Sequence, residues 1–573
     1  MIRYLIATAW LFLTLAEPSA ALAAGRGDSR PIEVQILAFN DFHGNIDSPA
    51  DAPEIDLANG TKLKQRLGGV DALAATIAAL RKSHANTVTV SAGDLIGASP
   101  FVSAYFLDEP TIDAMNLIGL SLNAVGNHEF DKGSAELRRM QRGGCEKYTT
   151  RVPCRLEAFK GARFSFLAAN VSDASGSTIF PGSAIRQFGP VRIGFIGMTL
   201  KDTGTLVTPA GVAGLTFADE ASTANALVPK LKAAGADAIV LLIHQGGKAP
   251  QVFQQSSCTG LAGAILDIMD KLDPAISVVV SGHTHYAYSC HVQRGGADRL
   301  LTSAGKYGYL VTDLRLRFDP QTHALVGQSA TNVPIRPELG RDPRLTALVG
   351  RYTTAAAPAG ARVVGKLRGP APKSETDDES LAADLVADAQ LAATWPADRG
   401  KADLSFINAT GMRAGITPGA DGTVTYGQIF AVQPFGNNLV VKTLTGAQLK
   451  VLLEQQFTTK EGKGAVGSLL VPSSTFRFAY DLARPEGQRI TAMTLDRKPI
   501  DPARTYRVTV NNFLASGGDG FSVLAQGTQP FDAGLDLDAL ESYLKLNPAI
   551  APSRVAVAVG DVGALESELA DLG

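Results

Sequence analysis

The first half of this 573-residue chain repeats one pattern. An apolar, β-branched run of strand length ends in a short polar turn that carries histidine, aspartate or asparagine. The turns are Asn40-Asp41-Phe42-His43-Gly44, Gly93-Asp94, Gly126-Asn127-His128-Glu129, His244 and Gly282-His283-Thr284-His285. Residues 34–39, 87–91, 191–198, 238–243 and 276–280 read as buried strands, and 70–81 and 221–234 carry helical periodicity. Such alternation over residues 32–319 requires a layered α/β domain, in which ligands collect beyond the carboxyl ends of the strands. The polar turns fall at those ends, so they read as one site.

The donor types define its chemistry. Asp41-x-His43 and His283-x-His285 each place two donors on one side of an extended strand end. Asp94 follows a glycine turn, and Asn127 beside His128 is an uncommon pairing. Each motif alone has a structural alternative; Gly-Asp, for example, is usually only a turn. Together, imidazoles with Asp41, Asp94 and Asn127 suit two divalent cations roughly 3.5–4 Å apart that activate a water and clamp a phosphate. Zinc or manganese matches this mixture best, since magnesium prefers more oxygen. His128 adjoins a ligand without being needed as one, and can donate to charge developing on a phosphoryl group. Asp131 can fix its tautomer, the alternative being a helix N-terminal carboxylate. His84, His291 and His323 lie outside the motifs and read as surface residues.

Length and charge narrow the setting. The chain is too long for one core, so at least two domains are expected. A net charge of -2, with 45% hydrophobic and 19% charged residues, gives a globular protein with no general attraction to nucleic acid polymers or anionic membranes. Arg3, the apolar run 5–15 and Ala21-Leu22-Ala23 form an export-signal pattern over residues 1–23. The alternative, an uncleaved anchor, is disfavoured because the run is short of the roughly 20 residues a spanning helix needs. A periplasmic or secreted protein without stable membrane association is expected. In an oxidising compartment Cys145, Cys154, Cys258 and Cys290 favour disulfides, with three possible pairings or free buried thiols as the alternative. Sequence proximity favours Cys145–Cys154 and Cys258–Cys290. No feature sets an oligomeric state.

Prolines at 337, 343, 358 and 370 punctuate residues 336–372, which read as a linker with a short helix at 344–354. The expected organisation is a signal at 1–23, a first domain at 24–335, this linker, a second α+β domain at 373–560 and a tail at 561–573. In the second domain 379–393 reads as a helix, and 439–444 and 506–510 as strands.

At this point the chain resembles the calcineurin-like metallophosphatases and, more narrowly, the bacterial periplasmic 5'-nucleotidase/UDP-sugar hydrolase family. That resemblance implies a four-layer-type α/β metallophosphatase sandwich followed by a smaller α+β C-terminal domain. It also implies that Asp94 bridges both metals, that Asp41, His43 and His285 complete one site, and that Asn127, His244 and His283 complete the other. His128 would be the catalytic histidine, oriented by Asp131. In the second domain, Asn408-Ala409-Thr410-Gly411-Met412-Arg413, Gln433-Pro434-Phe435-Gly436-Asn437 and the segment from Asn512 to Phe521 resemble the family's nucleoside-binding pieces. By that likeness Phe435 and Phe513 sandwich a base, Asn408 and Asp519 bond base and ribose, and Arg413 sits toward the phosphate. The alternative for both phenylalanines is a place in the core. The chain departs from the family at Ala383-Asp384, where Gly-Asn is frequent. It departs again at Ala409 and Thr410, where many members carry glycines, and at the acidic Asp377-Asp378-Glu379, where some carry an arginine.

The expected function is hydrolysis of nucleoside 5'-monophosphates by an exported two-metal phosphoesterase. The rivals are a 2',3'-cyclic phosphodiesterase, a UDP-sugar or nucleotide-diphosphate hydrolase, the related sulfur-oxidation hydrolases, and a non-catalytic nucleotide- or metal-binding protein.

Overall fold

The computed structural model describes residues 30–149, 151–374, 379–460, 463–552 and 558–559. The export-signal pattern, Asp377-Asp378 and the tail at 561–573 lie outside them.

Two six-stranded sheets build the first domain. In one, strand Ile32–Phe39 runs parallel to Thr87–Ser91, which is followed by Leu122–Ala124 and Ser165–Leu167, also parallel. In the other, Val191–Met198, Ala238–Ile243 and Ile276–Ser281 run parallel. Strand alternation decides what each face touches. Val34, Ile36 and Ala38 pack between the sheets against Phe195, Val240, Leu242 and Val280. Leu37 and Phe39, on the other face, meet helices Val70–Arg81 and Glu109–Ile118 through Leu73, Ile77, Ile112 and Met115. On the far side Ile196, Met198, Leu241 and Ile243 pack against helices Glu220–Ala233 and Ala264–Met269. The result is the helix–sheet–sheet–helix sandwich expected from the resemblance. Cys145–Cys154 and Cys258–Cys290 are disulfides, as proximity suggested.

The segment 336–372 is more ordered than its prolines suggest. Helix Pro343–Gly360 is 18 residues long against the short helix expected at 344–354. Pro343 occupies the first turn, where its missing N–H is no loss, and Pro358 falls in the last turn. Leu345, Leu348 and Tyr352 bury into the first domain, and the following strand Val363–Lys366 pairs with Thr423–Thr425 of the second.

In the second domain a five-stranded sheet has the order Leu470–Pro472, Leu404–Asn408, Thr505–Asn511, Asn438–Thr445, Thr528–Leu535. Helices Leu381–Thr394 and Asp536–Leu546 pack beside it. The domains touch where Phe101 meets Tyr426 and Phe430, with ring centroids 5.8 and 5.3 Å apart. Arg151, from the loop closed by Cys145–Cys154, lies 4.7 Å over the Phe430 ring.

Phe195 is fully buried where the two sheets face each other. Phe195→Ala is expected to cost about 3–5 kcal/mol, read as a lower denaturant midpoint for the first domain. A midpoint equal to the parent's would show that the inter-sheet layer does not carry the stability.

Candidate active site

Five turns bring their side chains together because they leave the carboxyl ends of parallel strands in two sheets that face each other. The first two turns are zipped by backbone bonds: Asp41 N–H to Gly93 O at 3.0 Å, His43 N–H to Asp94 O at 2.9 Å, and Gly44 N–H to Leu95 O at 3.1 Å. The ligand-bearing turns share an unusual backbone. Asp41 (φ 48°), His43 (46°), Asp94 (49°), His283 (71°) and His285 (65°) all adopt left-handed conformations. Such strain, of order 1–3 kcal/mol per residue, persists only where the surroundings over-determine it, and it clusters at functional sites. Gly126 meets a different demand, because a side-chain carbon there would overlap Asp94 Oδ1.

Asp94 is the centre. Its Oδ1 accepts from the His128 backbone N–H at 2.9 Å, while Oδ2 lies 2.9 Å from His244 Nε2 and 3.7 Å from His43 Nε2. His43 Nε2 in turn stands 3.1 Å from His285 Nε2 and 3.9 Å from Asp41 Oδ1. His283 Nδ1 stands 3.1 Å from Asn127 Oδ1. Donor atoms of Asp41, His43 and His285 form one compact group, and those of Asp94, His244 and His283 another. A third, comprising His43, Asp94 and His128, connects them.

These residues suit divalent cations. His43 Nδ1 is bonded to Gly97 O at 2.9 Å and His244 Nδ1 to Ala92 O at 2.8 Å, so each can turn a lone pair on Nε2 inward. Among the described residues the fully buried His244 Nε2 has no well-aligned hydrogen bond, although it lies 2.9 Å from Asp94 Oδ2, as two ligands of one ion would. Burial holds His43 and His285 well below the usual histidine range and takes His283 down to about 3, which keeps all three neutral. Burial also pushes Asp41 up to about 7, a penalty that a cation between these donors would remove.

Above these donors sits a second layer of polar side chains. His128 Nδ1 bonds the Asp131 carboxylate at 2.9 Å, and Arg413 of the second domain donates to His128 Nε2 at 3.0 Å. Burial pulls the His128 pKa down, but the Asp131 and Asp94 carboxylates outweigh it and raise the imidazole above its ordinary value. A cavity of about 330 Å³ opens here. Its walls come from Asp94, Asn127, His128, Asp131, His283 and His285 on one side and Asn408, Arg413, Phe435, Phe513 and Asp519 on the other. Asp41, His43 and His244 lie beneath it, essentially inaccessible.

The second-domain residues also converge. Asp519 Oδ2 accepts from Asn408 Nδ2 at 2.7 Å and from Thr410 Oγ1 at 2.6 Å. Phe435 is half-buried, with the Arg413 guanidinium 5.2 Å above its ring and the His128 ring stacked 6.1 Å away. Phe513 rests one side on the second-domain core, and Gly518 is flush with its ring, where any side-chain carbon would clash. His84, His291 and His323 lie apart from the site, beside Glu33, Asp298 and Asp237.

Several contributors escaped sequence reasoning. Glu129, only 2% exposed, accepts backbone N–H bonds from Asp94 (3.0 Å), Leu95 (2.8 Å) and Gly126 (2.7 Å), and so clasps two ligand turns together. Asn40 bonds Asp41 Oδ2 at 2.7 Å and aims it. Both sit inside the motifs, but nothing in one sequence separates them from the ligands beside them.

A buried carboxylate shared among imidazoles, under a histidine–aspartate pair and an arginine, is the donor set of a metal-dependent phosphoesterase. Comparison with known proteins agrees. The calcineurin-like phosphoesterase family matches residues 34–287, and the 5'-nucleotidase C-terminal domain family matches residues 354–526. The chain therefore joins a calcineurin-like phosphoesterase domain to a 5'-nucleotidase C-terminal domain. A 5'-nucleotidase precursor from Thermus thermophilus superposes with a TM-score of 0.72 at 26% identity, covering 92% of this chain and 99% of that one. A probable 5'-nucleotidase of Treponema pallidum is 25% identical over 574 residues, 87% of this chain and 89% of its own length. Endonuclease YhcR of Bacillus subtilis is 28% identical over 519 residues, 90% of this chain but 40% of its own length. The chain therefore spans less than half of that relative.

Glu129→Ala leaves three buried N–H donors unpaired, at about 1–3 kcal/mol each where water does not enter. A loss of about 3 kcal/mol in unfolding free energy is expected, with metal content reduced in elemental analysis. Retention of both parent values would show that the ligand turns hold together without the clasp.

Proposed function

We propose that this chain is an exported two-metal 5'-nucleotidase that hydrolyses nucleoside 5'-monophosphates to nucleoside and phosphate. The observation that carries this reading is the single cavity shared by the donor cluster and the second-domain aromatics. A simple phosphatase needs only the first wall. The second supplies two rings, an amide and a carboxylate, the groups that recognise a base and a ribose. The name of the Treponema relative points the same way.

Asp41, His43 and His285 would hold one ion and Asn127, His244 and His283 the other, with Asp94 common to both and zinc or manganese favoured. When bound, the ions neutralise phosphoryl charge and lower the pKa of a coordinated water. His128, fixed by Asp131, directs Nε2 at the phosphoryl oxygens and donates to the charge that develops there. Arg413 adds a second donor from the opposite wall. Phe435 and Phe513 take the base between them, and Asp519, aimed by Asn408 and Thr410, accepts the ribose hydroxyls. Export is supported by the N-terminal signal pattern and by both disulfides, which persist in oxidising compartments. Among the described residues no helix is long and apolar enough to cross a membrane.

Phosphate release from AMP should stop with a chelator and return with zinc or manganese. In the His128→Ala protein both metals should remain while kcat falls about 10²–10⁴-fold. Loss of a metal in that variant would make His128 a ligand and remove its catalytic role.

Phe435→Ala and Phe513→Ala should each lower kcat/KM for AMP roughly 5- to 150-fold, the worth of one stacked base. Turnover of nitrophenyl phosphate, which has no base, should be largely spared. A parallel loss on both substrates would assign the rings to the core instead.

A further inference from the structure

The loop that presents Phe435 hangs from one residue of a different element. Phe435 lies between Gln433 and Asn437, just after helix Tyr426–Val432. Asp536, the first residue of helix Asp536–Leu546, reaches both ends of that turn. Its backbone N–H donates to the Asn437 carbonyl at 2.9 Å, and its carboxyl Oδ2 accepts from Gln433 Nε2 at 3.3 Å. Asp536 is 2% exposed and Gln433 1%.

Helix geometry explains only half of this carboxyl: Oδ1 accepts the Leu537 backbone N–H of its own helix at 2.7 Å, while Oδ2 is turned to Gln433. An acid in a first turn complements the helix dipole from solvent, and Asp538, two residues on, is exposed and does so. Asp536 instead points inward, where an unpaired polar group would be costly. Burial pushes its pKa up to about 8, which leaves it a neutral acid at neutral pH. Among the described residues Gln433 Oε1 has no partner in its present orientation, and turning the amide over would offer it to the acid proton. The turn is also tied to the other aromatic: Asn438 N–H donates to Asn512 Oδ1 at 3.2 Å, one residue before Phe513.

We infer that Asp536 is a positioning residue for nucleoside recognition, holding the Phe435 loop through the Gln433 amide and the Asn437 carbonyl. This rests on the reading of Phe435 as a base-stacking ring. No contact of Asp536 with substrate is involved, so its effect should appear as a selective loss of nucleotide use.

The test compares Asp536→Leu, Asp536→Asn, Gln433→Met and Phe435→Ala on AMP and on nitrophenyl phosphate, with thermal unfolding to establish that each variant is folded. Asp536→Leu and Gln433→Met should raise KM for AMP about tenfold, while nitrophenyl phosphate turnover stays within about twofold. Asp536→Asn, which can still pair with the glutamine amide, should restore most of the loss. Should Asp536→Leu not fold, Gln433→Met decides the matter from the other side of the bond. Parent-like AMP kinetics in a folded variant overturn the inference, and so does an equal loss on both substrates. Phe435→Ala separates the two readings. A selective AMP loss there without one in Asp536→Leu or Gln433→Met leaves the stacking role standing and removes Asp536. No loss in Phe435→Ala removes both.

Discussion

The site depends on keeping one carboxylate, Asp94, fully buried among three imidazoles. A buried charge is tolerated only when paired and hydrogen-bonded. Asp94 Oδ1 accepts the His128 backbone N–H at 2.9 Å, and the fields of the His244 and His128 imidazoles outweigh burial, which alone would raise the Asp94 pKa, so that the group stays well below the usual carboxylate range. Everything around it serves this arrangement. The strand ends deliver the donors, the zipper joins the first two turns, whose ligand residues adopt left-handed conformations, and Glu129 closes the clasp. The four-layer sandwich is the rigid frame against which such strain can be held.

A second constraint comes from the meeting of the domains. His128 faces inward to Asp131 and outward to Arg413 and Phe435, so the reacting end and the recognition end of the cavity share a wall. On the proposed reading, binding energy gathered at a base would help to position a phosphate several ångströms away, which is how remote contacts raise turnover as well as affinity. The contact of Phe101 with Tyr426 and Phe430, braced by Arg151, lies outside the lining of this cavity and is a second place where the domains meet.

Much of the first domain was legible because local signals agree with the global fold there. The runs at 87–91, 191–198 and 238–243 became strands with those bounds, and 70–81 became a helix with them. Buried parallel strands are nearly continuous apolar runs, which leaves little ambiguity. The segment at 336–372 was harder to read. Its prolines signal breaks, yet two of them sit in the terminal turns of one long helix, where proline is tolerated. Only the burial of Leu345, Leu348 and Tyr352 against the first domain shows why that helix persists.

What the sequence determined by itself was the set of donors and their order at strand ends, because ligand chemistry is carried by residue type and short spacing. The aromatic and polar pieces of the second domain were pointed to by the resemblance to a known family, and they line the same cavity. Tertiary structure alone decided which donors face one another, that Glu129 and Asn40 brace the ligands, and that Asp536 reaches the Phe435 loop from 101 residues farther along the chain. Those relations depend on packing between elements remote in sequence, and a hydrogen bond across such a distance leaves no local pattern to read.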